Sequence, residues 1–145
     1  MNKENNSSRK EFAISQFESG LLLQEKGKYA EAEQAYKSIQ REDGKKLFVL
    51  SRCYLGEILG LQEKYSEAEH LYKAIQREDN KKLFALSRFN LGVLLGIQEK
   101  YSEAEQSYRE IEISDDKEQF IESRVNLGVV LEKQEKYAEA EQVYK

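Results

Sequence analysis

Proline and tryptophan are both absent from this 145-residue chain. The lack of proline removes the strongest helix breaker, and a chain rich in Glu, Lys, Leu and Ala then favours helices. Cysteine occurs once, at Cys53, so an internal disulfide is excluded. Long apolar runs are missing too. No stretch approaches the length needed to span a bilayer, which argues against membrane insertion. The opening "MNKENNSSRK" has no apolar segment and is no secretory signal. Residues 1–9 are expected to form a disordered tail, and the chain is expected to be cytoplasmic. Neither sign of charge prevails: 23 basic residues face 27 acidic ones, interleaved, for a net charge of −4. A nucleic-acid-binding surface wants a basic stripe, and none is present.

What the chain does have is repetition. "QEKYSEAE" stands at 62–69 and again at 98–105, with relatives at 26–33 ("KGKYAEAE") and 134–141 ("QEKYAEAE"). Tyr29, Tyr65, Tyr101 and Tyr137 are 36 residues apart, and Tyr36, Tyr72, Tyr108 and Tyr144 follow each by seven. Gly20, Gly56, Gly92 and Gly128 keep the same step, as do Ala32, Ala68, Ala104 and Ala140. One period held in several registers over the whole chain means a repeat architecture.

Each repeat splits into two amphipathic segments. Leu47, Phe48, Leu50, Tyr54, Leu55, Ile58, Leu59 and Leu61 trace a broad helical stripe, and Tyr65, Ala68, Tyr72 and Ile75 recur at spacings of three and four. "QEKY" is too short for anything but a turn between helices, and Asp43-Gly44 and Asp79-Asn80 suit the turns between repeats. The expected helices are 10–26, 29–41, 45–62, 65–78, 81–98, 101–112, 117–134 and 137–145. Gly56 and Ala68 are small so that two antiparallel helices can approach. Ala68 should therefore lie at the crossing with almost no accessible surface.

These residues resemble the tetratricopeptide repeat over about 12–145. Leu55-Gly56, Leu91-Gly92 and Leu127-Gly128 match the family's Leu-Gly pair, and Ala68 with Tyr72 matches its A-x3-F. The chain departs from the pattern in its longer period, in lacking the terminal Pro, and in placing Arg52, Arg88 and Arg124 in the leading Trp slot, with Gln16 in the first copy. The resemblance implies an all-α, right-handed α-solenoid of four helix-turn-helix hairpins, forming one domain over 10–145 with repeats at about 13–48, 49–84, 85–120 and 121–145. It also implies a protein-interaction module. The partner would be a protein or peptide, or a second copy of the chain. A self-assembling repeat unit, or the scaffold part of a larger protein, is the alternative.

No constellation for catalysis, metal or cofactor stands out. His70 reads as solvent-facing and Cys53 as a packing residue. The "SEAE" and "AEAE" glutamates lack the Gly turn and alternating ligands of a calcium loop. In proteins similar to this one the first helix of each hairpin lines a concave groove. The residues expected there are Ile14, Phe17 and Leu21; Leu50, Cys53 and Glu57; Leu86, Phe89 and Val93; and Glu122, Val125 and Val129. Asn90 and Asn126 fit slots that carboxylate-clamp members of the family use, but the accompanying cations are missing, so a clamp is not expected. An apolar groove invites an amphipathic helix or apolar peptide, with Phe17 and Phe89 as aromatic anchors.

Two charges fall off the family pattern in step: the last Glu of each motif and the Arg in the Trp slot. Repeat 1 has Glu33 but no Arg. Pairing of each Glu with the Arg of the next repeat is therefore expected, as Glu33–Arg52, Glu69–Arg88 and Glu105–Arg124. On that scheme Glu141 has no mate and the array continues or docks beyond Lys145.

Overall fold

A computed structural model describes residues 3–145, with side chains described from Ser7 onward. Among the described residues there are eight α-helices and no strand. They are α1 (Lys3–Glu25), α2 (Tyr29–Lys37), α3 (Lys45–Leu61), α4 (Tyr65–Ala74), α5 (Lys81–Ile97), α6 (Tyr101–Arg109), α7 (Lys117–Lys133) and α8 (Tyr137–Tyr144). The chain divides into two compact units, Met1–Leu71 and Tyr72–Lys145, with the boundary inside α4. No helix among the described residues is long and apolar enough to cross a membrane.

In the first unit α1 and α2 form an antiparallel hairpin, and α3 packs on α2. In the second, α5 pairs with α6, α6 with α7, and α7 with α8. The crossings lie where small residues were expected: Ala32, Ala68 and Ala104 have 0% exposure. Glycine serves the same contact from the other helix. A Cβ at Gly20, Gly92 or Gly128 would run into the ring of Tyr36, Tyr108 or Tyr144.

Every turn within a hairpin has the same geometry. Gly27, Glu63, Glu99 and Glu135 all take positive φ, between 61° and 74°. Around Glu99, its N–H donates to the Gly96 carbonyl at 3.0 Å and the Lys100 N–H to the Leu95 carbonyl at 2.9 Å. That is the Schellman pair of bonds that closes a helix through a left-handed residue. The turns between repeats use an aspartate. Asp43 and Asp115, both buried, accept from the N–H groups of Gln40 (2.9 Å) and Glu112 (3.0 Å). This is why α2, α4 and α6 stop short of the expected 41, 78 and 112. Apolar periodicity runs on to the buried Ile39, Ile75 and Ile111, but the backbone leaves the helix to meet the carboxylate.

Residues 1 and 2 of the expected tail lie outside the described residues. From Lys3 the chain is helical within α1, where a tail was expected up to residue 9. Arg9 holds this segment down: its Nε donates to Asp43 Oδ1 and its Nη2 to the Ser38 carbonyl, both at 2.9 Å. Arg77 binds Asp115 the same way, at 2.7 Å and 2.9 Å. Burial alone would raise the Asp115 carboxyl, but the bonds from Arg77 and the Glu112 N–H more than offset this and hold it below its ordinary range.

The charge ladder needs correcting. Arg52 does not meet Glu33. Its guanidinium reaches back to the preceding hairpin and donates to two backbone carbonyls, Tyr36 at 2.9 Å and Ile39 at 3.0 Å. The Tyr36 carbonyl also accepts from the Ile39 N–H at 3.2 Å, and a cation at a helix C-terminus meets the favourable end of its dipole. Arg88 donates to the Tyr72 carbonyl at 2.6 Å in the same manner, and to Glu110 at 2.6 Å. Arg124 is not bonded to Glu105; it lies over the Phe120 ring, 5.6 Å from its centre. Arg52 and Arg88 stack likewise on Phe48 and Phe84, at 4.4 Å and 4.5 Å.

The glutamates take lysines instead. Glu33 pairs with Lys64 at 3.4 Å, and Glu105 with Lys136 at 3.1 Å. Each link joins the last residue of one motif copy to the third residue of the next copy. The inter-repeat direction holds and the cation differs. Burial raises the Glu105 carboxyl, but hydrogen bonds from Lys136, Gln134 and Arg109 outweigh it, and the net shift is downward.

Candidate functional site

The expected groove residues divide by unit. In the first, Ile14 and Glu57 are exposed, while Leu21 and Leu50 are half-buried. Phe17 packs edge-on against Tyr54 (5.5 Å between ring centres) and on Tyr36 (5.9 Å), so much of its face is used within the unit. Cys53 is only 3% exposed and presents nothing to a groove. Burial pushes its thiol up to about 12, which leaves an inert packing group.

In the second unit Val93, Glu122, Val125 and Val129 are exposed, and Leu86, Phe89, Asn90 and Asn126 half-buried. Phe89 lies 6.0 Å from Tyr108, centre to centre. Three of the expected residues, Val93, Asn126 and Val129, converge on one cleft of about 330 Å³ between α5, α6 and α7. Its remaining walls are Gly96, Ile97, Tyr101, Tyr108, Val130 and Lys133. Ile97 is 62% exposed and Val129 44%. Asn126 Nδ2 donates to the Tyr108 hydroxyl at 3.4 Å, so this Asn has an internal partner. Burial raises the Tyr108 phenol, and the Asn126 bond opposes this in part.

Ile97, Tyr101 and Lys133 were not expected here. Ile97 and Lys133 lie one turn beyond the positions read as groove-facing, and Tyr101 belongs to the second helix of its hairpin. His70 is exposed, as expected, and lines a separate apolar cleft of about 350 Å³ in the first unit with Lys37, Leu55, Leu59, Ser66, Glu67 and Leu71. No group of His, Cys, Asp or Glu among the described residues could hold a metal ion.

Models of the tetratricopeptide repeat match residues 19–37, 50–118 and 121–145. The chain belongs to the tetratricopeptide repeat family. No curated protein matches it. Tetratricopeptide repeats are generally protein–protein interaction scaffolds, typically without enzymatic activity. The matched spans cover α5 to α8 except Gln119 and Phe120, and every cleft residue lies within them.

Proposed function

We propose that this chain is a non-enzymatic interaction scaffold whose cleft between α5 and α7 receives the apolar face of an amphipathic helix or peptide. The observation that carries this reading is the convergence of exposed Val93, Ile97 and Val129 on one concave surface floored by Tyr108 and Val130. Burying a partner's Leu or Ile side chain there is worth about 1.5–3 kcal/mol each, enough for two or three anchors to hold a short helix. Phe17 and Phe89 are better read as supports of their own hairpins than as anchors, since each packs against the tyrosine of the paired helix.

A selection of helical peptides displayed against the full chain tests this. Selected peptides should lose binding to Val129→Asp and Ile97→Asp. Ile121→Asp, exposed on α7 but outside the cleft, should bind as before. Equal binding by Val129→Asp and the unaltered chain would overturn the reading.

A further inference from the structure

In the first, third and fourth hairpins the tyrosine seven residues after the motif's own tyrosine lies over a glycine of the paired helix, and one turn beyond that glycine stands a residue its hydroxyl can meet. In the first hairpin that residue is Gln24, whose Oε1 accepts from the Tyr36 hydroxyl at 3.0 Å. In the fourth it is Glu132. Partial desolvation raises the Tyr144 phenol, and the Glu132 carboxylate, which takes its hydrogen bond, raises it further. In the second and third hairpins the same register holds Gly60 and Gly96, and the third is the one whose tyrosine lines the cleft. Glycine has no side chain to offer, and a Cβ built at Gly96 would meet nothing within 4 Å. The Tyr108 hydroxyl accepts from Asn126, but its own proton has no acceptor among the described residues. Tyr108 is 4% exposed, and a hydroxyl this buried gains from an acceptor. Lys133, on the same wall, makes no ion pair among the described residues. The cleft thus combines one unused donor, one unpaired cation and apolar walls, at a place where two sister hairpins carry a side-chain oxygen of their own.

We infer that the cleft takes an acidic side chain of the partner, its carboxylate accepting from the Tyr108 hydroxyl and lying beside the Lys133 ammonium, amid otherwise apolar contacts. The inference rests on the proposed groove and narrows its occupant: an apolar helix face carrying one Asp or Glu, whose oxygen stands where Gln24 and Glu132 stand in their hairpins. Charge-assisted bonds of this kind are the strong ones, and a partner seated over the cleft strengthens them by shielding them from water.

The test uses acetylated, amidated amphipathic helices with a Leu face and a single Glu placed at each apolar position in turn, each with a Gln twin. Binding is followed by fluorescence anisotropy and by amide shifts of Val93, Ile97 and Val129. At least one Glu peptide should bind the full chain about tenfold more tightly than its twin. Gly96→Ala should keep that preference, since it adds no acceptor. Gly96→Gln, which supplies the oxygen found in the first hairpin, should abolish it, as should Lys133→Gln. Equal binding of the twins, or a preference that survives Gly96→Gln, overturns the inference. If Glu and Gln peptides bind alike and Val129→Asp releases both, the groove stands and only the acidic contact fails. If no peptide shifts those amides, both readings fall.

Discussion

Glu63, Glu99 and Glu135 hold the left-handed turn positions that Gly27 holds in the first hairpin. A side chain with a Cβ costs about 1 kcal/mol or more there, while glycine loses chain entropy on folding. Glu99→Gly should therefore stabilise, by up to about 1 kcal/mol, and Gly27→Glu should destabilise by a similar amount; urea midpoints read both directly. Two glycines one turn apart on α5 should respond with opposite signs to the same change. Gly92→Ala drives a methyl into the Tyr108 ring and should cost about 1–3 kcal/mol. Gly96→Ala meets open space within a helix and should gain up to about 1 kcal/mol. Equal effects at the two positions would show that the ring does not lie where it is placed.

Between elements, the joints are made by arginine on backbone oxygen. Arg52→Met keeps the stem and its packing on Phe48 but removes the donor to the Ile39 carbonyl and leaves the Tyr36 carbonyl with the Ile39 N–H alone. The expected loss is about 1–3 kcal/mol. Glu33→Gln breaks only links to half-exposed lysines and should cost well under about 1 kcal/mol. A Glu33 effect equal to that of Arg52 would restore the ladder that the contacts argue against. The helix starts were legible in the residues: Tyr29, Lys45, Tyr65, Lys81, Tyr101, Lys117 and Tyr137 each open a helix where the turn chemistry places it. The partner of Arg52 was not, because a carbonyl acceptor belongs to every residue and leaves no mark in sequence. The partner of Glu33 was ambiguous, since Arg52 and Lys64 recur with the same period and spacing cannot choose between them. Of the cleft, Val93, Asn126 and Val129 were legible from helical phase. Lys133 and Ile97 were not, although the break from Gln24 to Gly96 in one register was a readable signal.

Across the whole chain, acid should act through the carboxylates that the turns and joints use. Asp115 and Glu105 titrate below their ordinary range when folded. The stability each contributes is complete above its unfolded value and is lost as pH falls toward the folded one. Thermal midpoints should therefore hold steady from neutral pH to about 5 and drop below about 4. Asp115→Asn should lower the midpoint at pH 7 and flatten the acid limb. A variant as acid-labile as the parent would place the sensitive groups elsewhere.

The links Glu33–Lys64 and Glu105–Lys136 have both members inside the same eight-residue phrase, at its end and at its third place. The phrase is thus its own complement, like a floor tile with a tongue on one edge and a slot on the other. Copying one 36-residue stretch of such a gene supplies a lysine for the copy before it and a glutamate for the copy after it, with no second mutation required. Arrays built this way can lengthen or shorten by whole tiles at each recombination. The residues between the edges are then free to differ, as Gln24, Gly60, Gly96 and Glu132 do in one register.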